Sequence, residues 1–339
     1  MPAVRHHDAD NVLDWAEGRR PAPSRLRVAV LVPCFNEAAT IGEVVRAFRA
    51  LPVGATVYVY DNNSTDDTAA VAASAGAVVR QETRQGKGHV VRRMFADIEA
   101  DIYVLVDGDG TYDAEAAPRL IATLLERQLD FVNASRVSTA TDAYRRGHRF
   151  GNWALTRLVQ ITFGRQLCDV LSGYKVLSRR FVKSFPAMSQ GFETETELAV
   201  HALELRMPLA EVATVYRERP ACSPSKLRTY RDGARILMLI ARLVKDERPL
   251  RFFGLLGLGL IGLAVALAFP LVVTFLETGL VPRLPTAVLV TGLGIGGLLS
   301  IVAGLILDMT TRSRQEMKRL FYLAVGPLGA AASLPSERA

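Results

Sequence analysis

Two aspartates one residue apart, Asp107 and Asp109, follow an uncharged apolar run at residues 102–106. Carboxylate oxygens are preferred ligands of hard divalent cations such as Mg²⁺ and Mn²⁺, which often complete their shell with water and substrate phosphates. An Asp-x-Asp pair is also common in plain surface turns. Its position directly after a predicted strand favours a metal site, and we predict that Asp107 and Asp109 bind Mg²⁺ or Mn²⁺.

Two further polar segments follow apolar runs in the same way. They are Pro33, Asn36 and Glu37 after residues 28–32, and Asp61-Asn62-Asn63-Ser64-Thr65-Asp66-Asp67-Thr68 after residues 56–60. A carboxylate at a strand end can accept a hydrogen bond from the N–H of a base, so these segments favour nucleotide binding. The alternative is helix capping, which accounts well for Thr65 and Asp66 and less well for Asp61.

Apolar runs alternate with amphipathic segments through the first two thirds of the chain. The pattern predicts strands at residues 28–32, 56–60, 77–80, 102–106, 131–135 and 212–216, helices at residues 40–50, 67–75, 114–127 and 194–205 and from Gly86, and a polar loop at residues 168–174. Alternation of this kind predicts an α/β fold with a mainly parallel sheet covered by helices on both faces. Ligands of such sheets bind beyond the carboxyl ends of the strands, where the polar segments lie.

The last third of the chain contains two uncharged apolar runs, residues 252–276 and 286–307. Each can cross a bilayer core, which takes about 20 apolar residues. The short linker between them predicts a transmembrane hairpin, and the alternative is a pair of buried helices in a soluble domain. Basic residues flank the outer ends of the hairpin, so the positive-inside rule predicts that both termini and the α/β domain lie on the cytoplasmic side.

Domain boundaries follow from these changes in composition. We predict a loose N-terminal tail at residues 1–25, an α/β domain at 26–227, an amphipathic interface helix at 228–251, the hairpin at 252–307 and a cytoplasmic tail at 308–339. Apolar and basic positions alternate within residues 228–251, which suits a helix on an anionic membrane surface. Packing of that helix on the domain core is the alternative.

The bulk composition excludes several classes of protein. The formal net charge is +7, and the excess of basic residues clusters beside the apolar runs, which indicates a membrane rather than a nucleic acid. The three cysteines lie far apart and form no CxxC pair, so a zinc site is not expected. The N-terminus has no apolar core typical of a signal peptide.

Taken in order, Pro-x-x-Asn-Glu, Asp-x-x-Ser-x-Asp-x-Thr and Asp-x-Asp at successive strand ends resemble the family 2 glycosyltransferases of the GT-A fold. Within that family the chain is similar to the polyprenyl- or dolichol-phosphate sugar synthases, such as dolichol-phosphate mannose synthase. The resemblance covers residues 27–253 and includes Asp169-Val170-Leu171-Ser172-Gly173-Tyr174, Gly191-Phe192-Glu193-Thr194-Glu195 and Ser225-Lys226-Leu227. The paired C-terminal apolar runs resemble those of bacterial members.

The resemblance implies a donor site for a UDP- or GDP-linked sugar. The residues it assigns to the donor are Pro33, Asn36, Glu37, Asp61, Asn63, Ser64, Lys87, Asp107, Gly108 and Asp109, with Asp61 on the base and Asp107 and Asp109 on the metal and diphosphate. Many relatives carry Gln two residues after the second aspartate, where this chain has Thr111. The second motif has Asn62 in place of the commoner aspartate.

The acceptor implied by the resemblance is a polyprenyl phosphate in the membrane. Its phosphate is expected to contact Arg136, Arg217, Arg219 and Lys226, and Asp169 is expected to act as a base or to orient the reacting groups. Glu195 is expected to have a structural role or to contact a sugar hydroxyl. A phosphate monoester has a second pKa of about 6 and is largely ionised at neutral pH, so a strong general base is not required. The family implies inversion at the anomeric carbon.

Two other functions are consistent with parts of the pattern. A processive polysaccharide synthase would carry a Gln-x-x-Arg-Trp motif and more apolar spans, and neither Trp15 nor Trp153 stands in such a motif. A catalytically inactive membrane scaffold of the same fold would have lost the metal carboxylates, which this chain retains. Relatives with a hairpin can assemble as tetramers, so a homo-oligomer is a further expectation.

Overall fold

The computed structural model describes residues 26–138, 156–157, 159–160, 167–188, 193–217, 245 and 248–326. Its strands are β1 (Val28–Cys34), β2 (Thr56–Asp61), β3 (Val78–Gln81), β4 (Ile102–Leu105), β5 (Phe131–Ser138), β6 (Lys175–Ser178) and β7 (Leu209–Tyr216). Its helices are α1 (Ala38–Arg49), α2 (Thr68–Ser74), α3 (Lys87–Asp97), α4 (Ala117–Glu126), α5 (Arg179–Ser184), α6 (Thr194–Glu204), α7 (Pro249–Thr278) and α8 (Leu284–Ala324).

The seven strands form one sheet in the order β3-β2-β1-β4-β6-β5-β7. β1 pairs in parallel with β2 and β4, β2 with β3, and β5 with β7. The predicted α/β sheet is therefore confirmed. The carboxyl ends of β1, β2 and β4 are adjacent, so the three polar segments that follow them meet at one edge.

Strand β6 is the main difference from the predicted strands. It runs antiparallel to both β4 and β5, and it follows directly after the predicted polar loop. The strand was missed because it has only four residues and begins with a lysine, although all four are buried. A buried lysine breaks the apolar run by which short strands are recognised.

Helices cover both faces of the sheet, each over its own apolar cluster. One cluster packs β1 and β4 against α1 and α4 and includes Ile41, Phe48 and Leu120. The other packs the opposite face against α3, α5 and α6 and includes Met94 and Phe181. Helical spacing of these apolar side chains gives each helix one buried stripe.

The two C-terminal helices are long, apolar and mostly exposed. α7 has 30 residues and α8 has 41, and both are apolar enough to cross a membrane. They pack on each other where a Cβ at Gly257 would lie 2.6 Å from the carbonyl oxygen of Gly297, and Ser300 donates to the carbonyl oxygen of Phe253 at 3.1 Å. Small residues permit such close helix contact.

Helix bounds differ from the prediction mainly at the C-terminus. α8 does not end near residue 307 but continues to Ala324, so the predicted tail at 308–339 begins inside a helix. The predicted N-terminal tail at 1–25 and most of the predicted interface helix at 228–251 lie outside the described residues. Residues 249–251 of that predicted helix belong to α7.

Candidate active site

The loops after β1 and β2 are joined by side-chain hydrogen bonds. The backbone N–H of Asn36 donates to Ser64 Oγ at 2.9 Å, and that of Thr65 donates to Asn36 Oδ1 at 2.8 Å. The N–H of Glu37 donates to Thr68 Oγ1 at 2.9 Å. Asn36 adopts a left-handed backbone conformation, with φ of 53°, which asparagine tolerates better than most residues. These contacts fix the two loops relative to each other.

Asp66 supplies the hydrogen bonds at the start of α2. Its Oδ1 accepts from the backbone N–H of Thr68 at 3.1 Å, and its Oδ2 accepts from that of Ala38 at 3.1 Å. Asp66 thus accepts at the starts of both α1 and α2, but the N-cap residue of α2 is Asp67, whose side chain makes no capping hydrogen bond, so the capping prediction for Asp66 is wrong. Thr65 instead contacts the loop after β1, through Asn36.

Asp61, at the end of β2, keeps one carboxylate oxygen available. Its Oδ2 accepts from the backbone N–H of Ser64 at 3.1 Å. Its Oδ1 is buried and has no hydrogen-bond partner in the described part of the chain. A buried carboxylate oxygen without a donor is costly, and a donor from a ligand would remove that cost. Asp61 Oδ1 could therefore accept a hydrogen bond from the N–H of a nucleotide base.

Asn62 fixes the loop that leads into α3. Its Nδ2 donates to the carbonyl oxygens of Glu82 at 2.8 Å and Arg84 at 2.7 Å, and its Oδ1 accepts from the N–H of Gly86 at 2.7 Å. The neighbouring Asn63 donates to the carbonyl oxygen of Thr83 at 2.8 Å. Asn62 and Asn63 therefore shape the loop before Lys87, a role that the sequence motif alone does not reveal.

The Asp107-Gly108-Asp109 segment lies close against its surroundings. A Cβ at Gly108 would be 2.7 Å from Cys34 Sγ, and Thr40 Oγ1 donates to the Gly108 carbonyl oxygen at 2.7 Å. Asp109 is buried, and its Oδ1 accepts from Thr111 Oγ1 at 2.6 Å. Thr111, which stands where many relatives have Gln, thus orients one of the two predicted metal ligands.

Lys87 connects the sheet edge at the carboxyl ends of β1, β2 and β4 to α6. Its ammonium group contacts both Asp107 Oδ1 and Glu195 Oε1. Burial alone would lower the pKa of Lys87, but the two carboxylates raise it above its usual value. Lys87 is therefore charged, as a group near a diphosphate should be. Glu195 is buried, and its Oε2 has no hydrogen-bond partner among the described residues.

The carboxylates suit a hard divalent cation. Asp107 and Asp109 offer oxygen ligands, and Asp107 already contacts a cation, the Lys87 ammonium. No group of three His, Cys, Asp or Glu side chains converges within the described ranges. A metal held by Asp107 and Asp109 would therefore take its other ligands from water and the donor diphosphate, a common arrangement for Mg²⁺.

Arg136, in β5, and Asp169 form a bidentate ion pair. Arg136 Nε donates to Asp169 Oδ2 and its Nη2 donates to Oδ1, both at 2.7 Å. Burial alone would raise the pKa of Asp169, but the hydrogen bonds from Arg136 lower it below its usual value. The guanidinium also lies 5.6 Å from the centroid of the Tyr216 ring. This geometry favours Asp169 as the residue that orients Arg136 rather than as a base.

Of the other predicted acceptor cations, Arg217 lies within the described ranges and is less enclosed. Arg217 has a side chain that is 59% exposed, and it pairs with Asp113 at 3.2 Å. Its backbone N–H donates to the Thr111 carbonyl oxygen at 2.8 Å. Arg219 and Lys226 lie outside the described residues.

A buried network beneath Asp169 was not predicted from the sequence. Lys175 is fully buried and donates to Asn133 Oδ1 at 2.9 Å and to the Ser172 carbonyl oxygen. Asn133 Nδ2 donates to the Asp169 carbonyl oxygen at 2.8 Å and to Glu211 Oε1 at 2.9 Å. Polar residues inside the apolar run of β5 and at the start of β6 were the only signal.

The network holds the loop at residues 168–173. Glu211 accepts from the backbone N–H groups of Cys168 at 2.8 Å and Asp169 at 3.0 Å. A Cβ at Gly173 would lie 2.2 Å from Asp107 Oδ2, so only glycine lets the loop approach the predicted metal ligand this closely. The loop therefore brings Asp169 on one side and Asp107 on the other into one site.

Comparison with known proteins decides the family. Residues 29–185 match the sequence profile of Glycosyl transferase family 2. Glycosyltransferase AglJ of Haloferax volcanii is 32% identical over 303 residues, which cover 88% of this chain and 98% of that protein. The chain belongs to glycosyl transferase family 2. It is a glycosyltransferase, as its strand-end motifs predicted.

Other known proteins and solved structures are similar as well. The dolichyl-phosphate hexose transferase of Haloferax volcanii is 27% identical over 221 residues, covering 65% of this chain and 95% of that protein. A crystal structure of glucosyl-3-phosphoglycerate synthase from Mycobacterium tuberculosis, in complex with Mn²⁺, UDP and glucosyl-3-phosphoglycerate, superposes with a TM-score of 0.53 at 24% identity. The superposition covers 72% of this chain and 86% of the synthase chain. The likeness confirms the GT-A fold.

Proposed function

We propose that this glycosyltransferase transfers a sugar from a UDP- or GDP-linked donor to a polyprenyl phosphate at the cytoplasmic face of the cell membrane. One observation carries the proposal. Arg136, whose side chain is only 14% exposed and is oriented by Asp169, lies at the same site as the Asp107 and Asp109 carboxylates, in a chain with two exposed apolar helices that can cross a membrane. The first feature suits a phosphate acceptor, and the second suits an acceptor that resides in lipid.

The donor half of the site supports a nucleotide sugar. The Asp61 Oδ1 atom is free to accept from a base, and the charged Lys87 is close to where a diphosphate would lie against Asp107 and Asp109. Glucosyl-3-phosphoglycerate synthase, of the same fold, holds UDP and Mn²⁺ in its crystal structure. We infer that Asp107 and Asp109 hold Mg²⁺ or Mn²⁺, which would neutralise charge on the departing diphosphate.

The reaction needs one bond made and one broken. An oxygen of the acceptor phosphate attacks the anomeric carbon, the bond from that carbon to the diphosphate oxygen breaks, and the configuration inverts. Arg136 binds the acceptor phosphate in a fork that suits its oxygens, with Arg217, Arg219 and Lys226 as further cations. Because the phosphate is already ionised, Asp169 acts by orienting Arg136, and catalysis comes from positioning and charge neutralisation.

Two observations support an acceptor that resides in the membrane: the exposed apolar helices and the similarity to a relative. Most of the apolar side chains of α7 and α8 are exposed, which in water would be unfavourable. The Haloferax relative is a dolichyl-phosphate hexose transferase. The basic residues at the outer ends of the hairpin support an active site and both termini on the cytoplasmic side.

Transfer of labelled sugar tests the reaction. The full chain in detergent is given UDP-glucose, UDP-N-acetylglucosamine or GDP-mannose, with undecaprenyl or dolichyl phosphate, in Mn²⁺ or Mg²⁺ and then in EDTA. We expect metal-dependent formation of a lipid-phosphate sugar from one donor, lost in Asp109→Asn and retained in Glu126→Gln. The latter removes the same charge at an exposed site on α4.

Other outcomes would point to the alternatives. A polymer longer than one sugar on the product would indicate a polysaccharide synthase. Folded, membrane-embedded protein that transfers from no donor to either lipid would indicate another acceptor or an inactive scaffold.

A further inference from the structure

The second apolar helix is much longer than a membrane requires. α8 has 41 residues, about 60 Å at the rise of an α-helix, whereas a bilayer core is about 30 Å thick. Its first charged side chain is Asp308, and the helix continues for four further turns to Ala324. We call residues 308–324 of α8 the strut.

The strut has one half-buried face. Within it, Asp308, Thr311, Gln315, Lys318 and Tyr322 are half-buried, while most positions between them are exposed. These positions are three or four residues apart, so they form a single stripe along the helix. The stripe faces the glycosyltransferase domain, because α8 packs on α5 and the Tyr322 ring packs on the apolar cluster beneath the sheet.

Tyr322 joins the strut to the start of β5 and α5. Its hydroxyl donates to Asp130 Oδ2 at 2.6 Å and accepts from Arg180 Nη1 at 3.2 Å, and the Arg180 guanidinium lies 5.1 Å from the ring centroid. The other Asp130 oxygen accepts from Ser178 Oγ at 2.6 Å. Ser178 also caps α5 by accepting from the N–H of Phe181 at 3.1 Å. One tyrosine thus contacts the joint between three elements.

Lys318 joins the strut to the end of α6. Its ammonium donates to Glu204 Oε2 at 2.7 Å, and the Glu204 side chain is only 1% exposed. Removing one partner from a buried ion pair leaves an uncompensated charge. The contact therefore fixes the register of the strut against α6.

The elements that the strut contacts carry residues of the candidate site toward their opposite ends. β5 begins beside Asp130 and carries Arg136, and α6 ends at Glu204 and begins beside Glu195. β6 ends at Ser178 and begins at Lys175, directly after the loop that holds Asp169. Strands and helices transmit position because they are stiff. The orientation of the acceptor site is thus tied to the membrane helix.

We propose that the strut holds the acceptor side of the active site at a fixed height and tilt over the membrane, with Tyr322 and Lys318 as positioning residues for transfer to a lipid-embedded phosphate. The inference rests on the proposed function. The phosphate of a lipid acceptor is confined to the headgroup layer and cannot reach an active site that is displaced or tilted. A soluble acceptor can diffuse into the active site however the site is oriented relative to the membrane. Only the first reaction therefore needs the strut.

The test compares two acceptors in the full chain reconstituted in lipid vesicles. The variants are Tyr322→Phe/Lys318→Gln and the control Arg312→Gln. The control removes one charge from the same helix, at a side chain that is 74% exposed and pairs with Asp308 on that helix. The acceptors are undecaprenyl phosphate in the bilayer and geranyl phosphate in the water phase. Since small misplacements are costly to rate, we expect the double variant to lose about tenfold with undecaprenyl phosphate and less than about twofold with geranyl phosphate.

Rescue and exchange measurements complete the test. Lys318→Arg keeps the charge and is expected to behave as the wild type with both acceptors. Hydrogen exchange at the peptides around Asp130 and Glu204 is expected to be faster in the double variant than in Arg312→Gln. Equal losses with the two acceptors, or no loss with either, would overturn the strut's role. A wild type that uses neither acceptor would overturn the proposed function, and the strut's role with it.

Discussion

The proposed donor and acceptor sides of the site are built by different means. On the donor side, the loops after β1 and β2 are held largely by hydrogen bonds between neutral side chains and backbone, such as those of Asn62 and Ser64, with the carboxylates of Asp61 and Asp66 as further acceptors. On the acceptor side, the loop at residues 168–173 is held by charged groups, chiefly the buried Asp169 and Lys175 and the half-buried Arg136. Lys87 joins the two sides through Asp107 and Glu195.

The difference teaches how each side responds to change. A neutral hydrogen bond contributes about 0.5–1.5 kcal/mol, so the loss of one is tolerable. A buried charge that loses its partner costs about 3–5 kcal/mol. The loops after β1 and β2 should therefore degrade gradually when their neutral side chains are mutated, whereas the acceptor side should fail at single charge changes and should respond to pH.

Asp169→Asn should give the largest effect. The substitution keeps the size of the side chain but leaves Arg136, whose side chain is only 14% exposed, without its counter-charge, at a cost of up to about 3–5 kcal/mol. We expect a clear fall in Tm of the detergent-solubilised protein and a loss of lipid-sugar formation of about 100-fold or more, because Arg136 is no longer oriented. Thermal unfolding and the transfer assay measure the two effects.

Two variants control this result. Asp101→Asn makes the same change where the partner, Arg27, has a side chain that is 56% exposed, and should alter Tm and transfer little. Arg136→Met/Asp169→Asn removes both charges and should recover most of the Tm without recovering transfer. Full transfer by either Asp169 variant would show that the oriented arginine is not needed.

Asn62→Asp should give a smaller effect confined to the donor. An aspartate cannot donate to the carbonyl oxygens of Glu82 and Arg84, and it places a negative charge against them. Unsatisfied buried groups cost about 1–3 kcal/mol, which should loosen the loop before Lys87 and raise the donor KM by about tenfold. Steady-state kinetics with each substrate varied in turn checks this, and an equal rise in the acceptor KM would contradict the separation of the two sides.

The two sides also differ in how far the sequence predicts them. The donor edge follows from local patterns, because each polar segment adjoins its own apolar strand and parallel strands end together. The sequence predicts in this way that Glu37, Asp61 and Asp107 lie at one edge, and the strand pairing agrees. What it does not predict is that Asn62 holds a loop more than twenty residues away.

The acceptor side depends on partners that are distant in the chain. Lys175 donates a hydrogen bond to Asn133, and Asn133 donates one to Glu211. These contacts depend on the pairing of β5, β6 and β7, which no local sequence pattern reveals. Strand β6 was missed for the same reason, since its lysine is buried only because Asn133 and Ser172 accept its hydrogen bonds. The strut was assigned to a tail because charge after an apolar run normally marks the end of a membrane span.

Lys175 gives the smallest expected effect, a pH dependence of stability. Burial lowers the pKa of Lys175 to about 8, whereas lysine in an unfolded chain titrates at about 10.4. Between these values the unfolded state binds more protons than the folded state, so this group adds stability as pH rises, and below about 8 its contribution is constant. Thermal unfolding of the wild type and Lys175→Met between about pH 7 and 10 measures the contribution. As pH rises, the Tm of the wild type should rise relative to that of Lys175→Met, by about 2–4 °C for each kcal/mol of unfolding free energy. Parallel plots of Tm against pH for the two proteins would show that the buried lysine does not titrate in this range.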